Sequence, residues 1–265
     1  MWKLFYTAQK IRGRYGLRLK RANGGLPTGS PNTTLQNTLT VGLLINYVLE
    51  HLFHLTPGRD FKAIGKGDDW NVFVAPTFSA KKFRDEVAKF GFKCKAEFVT
   101  EIEKLSFCSN LYVPARLRRT GEVLYVPAPT CKSFKCAFSP RFNFKDRKAY
   151  CNGVAKGLEA VARFNPLLAI FVKTLATIGQ GQTFKGSKLK YFERFTKYQV
   201  KYPGRTEDFD PMPTEAWACL SSRYCLPVAL LQRAGVQLQQ CKQTGLLGSA
   251  EWSQLTAAVI ATDLA

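Results

Sequence analysis

Two aspartates, Asp68 and Asp69, follow a glycine in the string Gly67-Asp68-Asp69. They lie between two short strand-like runs, Phe61 to Lys66 and Trp70 to Ala75. Gly-Asp at such a junction predicts a tight hairpin turn. A turn that presents two carboxylates at one point can hold Mg2+ or Mn2+. Such an ion takes a few hard oxygen ligands and completes its shell with substrate phosphates. Two of them can activate a hydroxyl and stabilise a leaving pyrophosphate in an in-line displacement. Adjacent acids after glycine also occur in ordinary solvated hairpins, so their position and company must decide.

Upstream runs the string Thr28-Gly29-Ser30-Pro31-Asn32-Thr33-Thr34-Leu35-Gln36-Asn37-Thr38. Gly29 permits a mobile loop, and Thr33 and Asn37 share a face of the helix that follows. Hydroxyls and an amide at a helix N-terminus suit a phosphate or ribose, although Ser, Thr and Asn also favour such positions simply as caps.

The elements that must position these residues are legible. From Thr33 the apolar residues Leu35, Leu39, Leu43, Tyr47, Val48 and Leu52 recur at three and four positions and predict a long amphipathic helix, with no proline before Pro57. Residues 79 to 90 read as a second helix, with Ser79 as N-cap and Gly91 at its end. Phe92 to Val99 is expected to be a strand, and Lys104 to Val113 with Glu122 to Pro127 are expected to be β-structure joined by a basic turn carrying Arg116, Arg118 and Arg119. The pieces 146 to 162, 166 to 178, 187 to 200, 213 to 233 and 249 to 264 have helical period. The character therefore changes near residue 128, from an α+β portion to a helical one.

The charge bounds the partners. Thirty-nine Lys and Arg against nineteen Asp and Glu give a net charge of +20 in 265 residues, with a pI near 9.8. A surplus of that size repels itself unless a polyanion shares it, which points to nucleic acid or an anionic surface. The N-terminal residues have no apolar core of signal-peptide length, and Leu167 to Ile178 is too short to span a bilayer and broken by Lys173. The eight cysteines form no Cys-x-x-Cys pair and no regular framework, so reduced thiols are expected. Cys131, Cys136 and Cys151 lack the spacing of a zinc module and have no histidine nearby.

Thr28-Gly29, three residues, Thr33, three residues and Asn37 resemble motif B of positive-strand RNA virus RNA-dependent RNA polymerases, written Ser/Thr-Gly-x3-Thr-x3-Asn. Gly67-Asp68-Asp69 is similar to motif C. The helix 79 to 90 with Gly91-Phe92-Lys93-Cys94-Lys95 is similar to motif D, and Leu105-Ser106-Phe107-Cys108-Ser109 to the motif E hairpin. The Gly-Phe-x-x-Lys and Phe-Cys-Ser strings look most like tombusvirus-like and nodavirus-like members. The resemblance covers about residues 20 to 113.

The resemblance implies an α+β fold. Residues 1–27 would be a basic lead-in from fingers or palm, 28–128 a partial palm with motifs B to E, and 129–265 a helical thumb and C-terminal region. Asp68 would be a principal ligand of catalytic Mg2+ or Mn2+, and Asp69 a secondary ligand or an electrostatic helper. Asn37, supported by Thr33, would read the ribose 2′-hydroxyl, which separates RNA from DNA precursors. Gly29 and Ser30 would form the loop beside template and nucleotide. Lys95, with Lys93 as rival, would protonate pyrophosphate. Phe107, Cys108 and Ser109 would support the priming 3′ end. Arg116, Arg118, Arg119, Lys185, Lys188 and Lys190 would line an RNA exit face. The partners would be template and product RNA and ribonucleoside triphosphates. The location would be host cytoplasm, at membrane-associated replication sites reached through a partner.

One departure matters. Motif A, an Asp-x4/5-Asp strand that belongs upstream of motif B, has no counterpart, because residues 1 to 27 contain no acid at all. A permuted order does not supply it, since Asp208 and Asp210 have the wrong spacing. The expectation is a fragment or one half of a split polymerase, with an upstream segment or second chain carrying motif A and little activity from this chain alone. The alternative is a non-catalytic basic RNA-binding protein with a palm-like fold. A reverse transcriptase would place an apolar residue and an aromatic before its acidic pair, where Lys66-Gly67 stands.

Overall fold

A computed structural model describes residues 10–12, 18–20, 33–138, 147–183, 207–240 and 250–264. It is a mixed helix-and-strand protein of two compact units, Met1–Phe98 and Val99–Ala265. The packing division falls earlier than the change of character near residue 128, because the strands after residue 105 share a core with the helices.

The first unit begins with two short antiparallel strands, β1 (Lys10–Arg12) and β2 (Arg18–Lys20), within the basic lead-in. Helix α1 (Thr33–Tyr47) runs into one π-helical turn, Val48–Leu52. Strands β3 (Phe61–Lys66) and β4 (Asp69–Val74) form an antiparallel hairpin. Helix α2 (Ala80–Lys89) follows, with the Ser79 hydroxyl accepting from the Lys82 N–H at 3.3 Å. Gly91 ends the turn after α2 at φ 79°, a value glycine reaches without strain. The core joins Ile45, Val48 and Leu49 to Phe61 of β3 and Phe83 and Val87 of α2. Phe53 and Phe78 close it against Phe83, with ring centroids 5.0–6.4 Å apart. Each such side chain, fully buried, stabilises by roughly 1.5–3 kcal/mol.

Two expectations fail in this unit. The N-terminal part of the expected apolar series is not the face of α1 in the core. Leu35, Leu39, Leu43 and Tyr47 remain 47–70% exposed, while Gly42 and Ile45 are buried, and only Val48 and Leu52 of that series pack into the core. The reason is steric: the Trp70 indole lies against Gly42, where a Cβ would stand 2.7 Å from the ring. A helix face with no side chain at that point lets the hairpin come closer than a leucine face would. The second failure is Phe92–Val99, which forms no strand. Phe92, Phe98 and Val99 are 37–43% exposed, and the segment is tied down by Arg84 donating to the Ala96 carbonyl.

In the second unit β6 (Asn110–Leu117) is the central strand. It pairs with β7 (Val123–Pro129) along one edge. Its other edge takes β5 (Ser106–Phe107) at one end and β8 (Phe209–Pro211) at the other. A 3-10 turn, Ile102–Lys104, precedes β5, and another, Cys131–Phe138, follows β7. The helices are α3 (Arg147–Ala162), α4 (Pro166–Gly179), α5 (Pro213–Tyr224), α6 (Val228–Gln240) and α7 (Ala250–Val259), with a closing π turn, Ile260–Leu264. Leu111, Val113 and Ala115 of β6 are buried with Leu167, Leu168 and Phe171 of α4, Leu220 of α5 and Leu231 of α6. Asn165, fully buried, caps α4 through the Leu168 N–H at 3.1 Å and donates to the Pro129 carbonyl at 2.9 Å. The helical period expected over 213 to 233 is interrupted. Cys225, at φ 51°, turns the chain before Pro227, and α5 and α6 are separate helices. The helix expected over 187–200 lies outside the described residues.

Candidate metal-binding turn

The hairpin is tighter than its sequence suggests. Lys66 pairs with Asp69, so only Gly67 and Asp68 form the loop, and Asp69 is the first residue of β4. Gly67 has φ 67° and Asp68 no positive φ, the pattern of a type II′ turn with glycine at the first central position.

Gly67 is held at both ends of its peptide. Its N–H donates to the Thr38 hydroxyl of α1 at 2.7 Å, and its carbonyl accepts from the Trp70 indole N–H at 3.1 Å. Thr38 in turn donates to the Thr34 carbonyl at 2.6 Å, which leaves a lone pair directed at Gly67. The indole lies over Gly65, where a Cβ would fall 1.9 Å from its ring. Glycine inside a strand often marks such a close approach. Opposed residues in a hairpin share a face. Gly65 with Trp70, Ala63 with Val72 and Phe61 with Val74 therefore form the face toward α1, while Lys66 with Asp69, Ile64 with Asn71 and Lys62 with Phe73 form the other. Ile64 and Phe73 on that second face are 51% and 53% exposed, whereas Asn71 is buried with its side-chain amide nitrogen unpartnered.

Asp68 is exposed at the tip and Asp69 half-buried beside it. Thr33 and Asn37, both half-buried, stand on the first turns of α1, and Asn37 precedes the Thr38 that grips the turn. One hydrogen bond thus brings helix α1 and the Gly67-Asp68 turn together. Lys93 and Lys95 are exposed in the irregular segment after α2. Phe107, Cys108 and Ser109 belong to the second unit, at the β5–β6 turn. Arg118 is ion-paired with Asp210 at 2.8 Å, and Arg116 donates to the Gly121 carbonyl at 3.3 Å. Gly29, Ser30, Lys185, Lys188 and Lys190 lie outside the described residues.

Sequence reasoning missed Thr38 and the Gly42–Trp70–Gly65 contact. Two glycines inside regular elements, Gly42 and Gly65, ahead of a tryptophan at position 70 were the available signal.

Among the described residues no cluster of three or more His, Cys, Asp or Glu could hold a metal ion. The pair Asp68 and Asp69 fits part of a Mg2+ or Mn2+ shell, since such an ion is bound by one or two carboxylates plus waters and substrate phosphates. Among the described residues no helix is long and apolar enough to cross a membrane. No curated protein matches the chain. Residues 16–134, which hold α1, the Gly67-Asp68 turn and the β5–β6 hairpin, match the family model of the viral RNA-dependent RNA polymerase.

Proposed function

We propose that this chain is the part of a viral RNA-directed RNA polymerase that carries motifs B to E and the thumb, of the tombusvirus-like or nodavirus-like kind. The reaction is magnesium-dependent, template-directed addition of ribonucleotides to an RNA 3′ end. The observation that carries the reading is the anchoring of Gly67 to Thr38 and Trp70, which ties two carboxylates to the helix bearing Thr33 and Asn37. The family match over residues 16–134 supports it.

In this reading Asp68 and Asp69 hold the metal. When bound, Mg2+ or Mn2+ neutralises phosphate charge and activates the attacking hydroxyl. Asn37, with Thr33, recognises the ribose 2′-hydroxyl, and Gly29 and Ser30 flank the nucleotide. Lys95, or Lys93, gives a proton to the leaving pyrophosphate. Phe107, Cys108 and Ser109 support the 3′ end. The +20 charge serves template and product RNA.

The residues before Thr28 hold no acid to complete the metal shell, so the chain alone binds magnesium poorly and incorporates little nucleotide. An upstream segment or a second chain supplies motif A. The complex works in host cytoplasm, at membrane-associated replication sites reached through a partner. The division into a palm at 28–128 and a thumb at 129–265 belongs to the same reading.

The test supplies the upstream motif A segment, in cis or in trans, and measures ribonucleotide incorporation on an RNA template with Mg2+. Incorporation should appear on complementation and vanish in Asp68→Asn. Incorporation that Asp68→Asn leaves untouched would overturn the assignment and favour the basic RNA-binding alternative.

A further inference from the structure

The second unit buries an ion pair that the polymerase chemistry does not use. Arg223 of α5 and Asp263 of the closing π turn have side chains only 4% and 1% exposed. Two guanidinium nitrogens of Arg223 reach Asp263 Oδ1, Nη2 at 2.7 Å and Nε at 3.1 Å. The other Asp263 oxygen accepts from the Tyr224 hydroxyl at 2.8 Å, and that hydroxyl accepts from the Cys131 N–H at 3.1 Å. Burial pushes the Tyr224 hydroxyl well above its ordinary pKa, so it remains a donor. A pair removed from water this completely is a weak source of net stability, because desolvation offsets most of the attraction. Its geometry shows what it orders instead.

The remaining nitrogen, Arg223 Nη1, faces three consecutive carbonyls, Glu103 at 3.5 Å and Lys104 and Leu105 at 3.3 Å each. These are long contacts singly, but together they seat one full charge in a cradle of dipoles. Leu105 leads directly into β5, and β5 into the two-residue turn Cys108–Ser109. That turn is strained. Cys108 and Ser109 have φ of 51° and 60°, both left-handed, where a type I′ turn prefers Asn-Gly. Each such residue costs roughly 1 kcal/mol. The tip therefore needs outside support. Asn110 donates to the Phe107 and Cys108 carbonyls at 3.4 and 3.1 Å, and the Thr130 N–H donates to the Ser109 carbonyl at 3.1 Å. Those bonds shape the turn itself. Arg223 fixes the strand that feeds it.

We propose that Arg223, aimed by Asp263, is a positioning residue for the Phe107–Asn110 tip, and through it for the RNA 3′ end that the tip supports. The second half rests on the polymerase reading. Arg223 touches no substrate and acts through the three carbonyls.

Two measurements on the full chain test this. The first is the rate of Cys108 alkylation by iodoacetamide, resolved by peptide mass spectrometry, in the parent, Arg223→Gln and Arg223→Lys. Arg223→Lys keeps the charge against Asp263 but loses the fork. Cys108 should react roughly tenfold faster in both, the loss of about one charge-assisted hydrogen bond, while buried Cys151, which lies outside this network, stays protected. If Arg223→Gln exposes Cys151 as well, the protein has loosened globally and Arg223→Lys decides. An unchanged Cys108 rate with a protected core overturns the proposal. The second measurement uses the complemented polymerase. In Arg223→Lys the KM for primed RNA should rise several-fold, with kcat and the nucleotide KM unchanged. A fall in kcat alone, or no change in the RNA KM beside a faster Cys108, also overturns it. Failure of the polymerase reading is visible separately, as incorporation indifferent to Asp68→Asn.

Discussion

The two hairpin tips of this protein meet the same backbone demand by opposite means. At the Gly67-Asp68 turn glycine takes the positive φ without strain, which frees the next two positions for carboxylates. The tip is then fixed from outside its own hairpin by one threonine of α1, and from within by an indole. At the Cys108-Ser109 turn two side-chain-bearing residues are forced into the left-handed region, and the strain is held by Asn110, the Thr130 N–H and the buried Arg223 pair. The first turn uses glycine and light anchoring. The second keeps its side chains and needs a clamp.

The largest effect expected on either tip is at Asp68. Asp68→Asn in the complemented polymerase should lower incorporation by roughly 1000-fold, the several kcal/mol a metal contributes to phosphate charge stabilisation, with Kd for RNA little changed. A similar loss in both quantities would move Asp68 from chemistry to folding. Next comes the packing that aims the turn. Gly65→Ala puts a methyl into the Trp70 indole and should destabilise the hairpin by about 1–3 kcal/mol, read as faster amide exchange across residues 61–74. Thr38→Val keeps the volume but leaves the Gly67 N–H without its acceptor. It should cost about 1–2 kcal/mol and show first at the Gly67 amide. If Thr38→Val lowers incorporation as far as Asp68→Asn does, the anchoring is not light and the contrast between the tips narrows.

The effect at the other tip has the opposite sign. Ser109→Gly relieves one left-handed residue and should raise the urea midpoint by the equivalent of at most about 1 kcal/mol, less the entropy glycine adds to the unfolded chain. A lower midpoint would show that the turn is not strained as its φ values imply.

The smallest effect concerns Asp60, which accepts from Arg59 and from the Thr56 N–H at the entry to β3. The Arg59 side chain and the Thr56 N–H hold its carboxyl far below the usual range. A depressed carboxyl stabilises above its unfolded pKa, near 4, and loses that contribution as pH falls through the folded value. Asp60→Asn should therefore lower stability slightly at neutral pH, and the deficit should shrink as pH falls below about 4, which flattens the acid limb of the stability curve.

Much of the site is legible in the chain's local patterns. Gly67-Asp68-Asp69 between two strand-like runs implies the hairpin, and Ser79 and Gly91 bound α2 closely, because capping and turn chemistry are local. The leucine face of α1 misleads for an equally physical reason. Periodicity records where apolar residues recur, not which of two faces a partner reaches, and the Trp70 indole reaches the glycine face. Phe92–Val99 has strand composition but no strand to pair with, which composition cannot supply.

The chain by itself determined the residues that could do chemistry, their order, the hairpin and the charge that calls for a polyanion. These follow from types and spacings a few residues apart. Tertiary structure alone decided that Thr38 grips the turn across 29 residues, and that Arg223 meets Glu103–Leu105 and Asp263. Those contacts join residues far apart in the chain, and no local preference encodes which distant carbonyl or hydroxyl a side chain meets until the cores around them have packed.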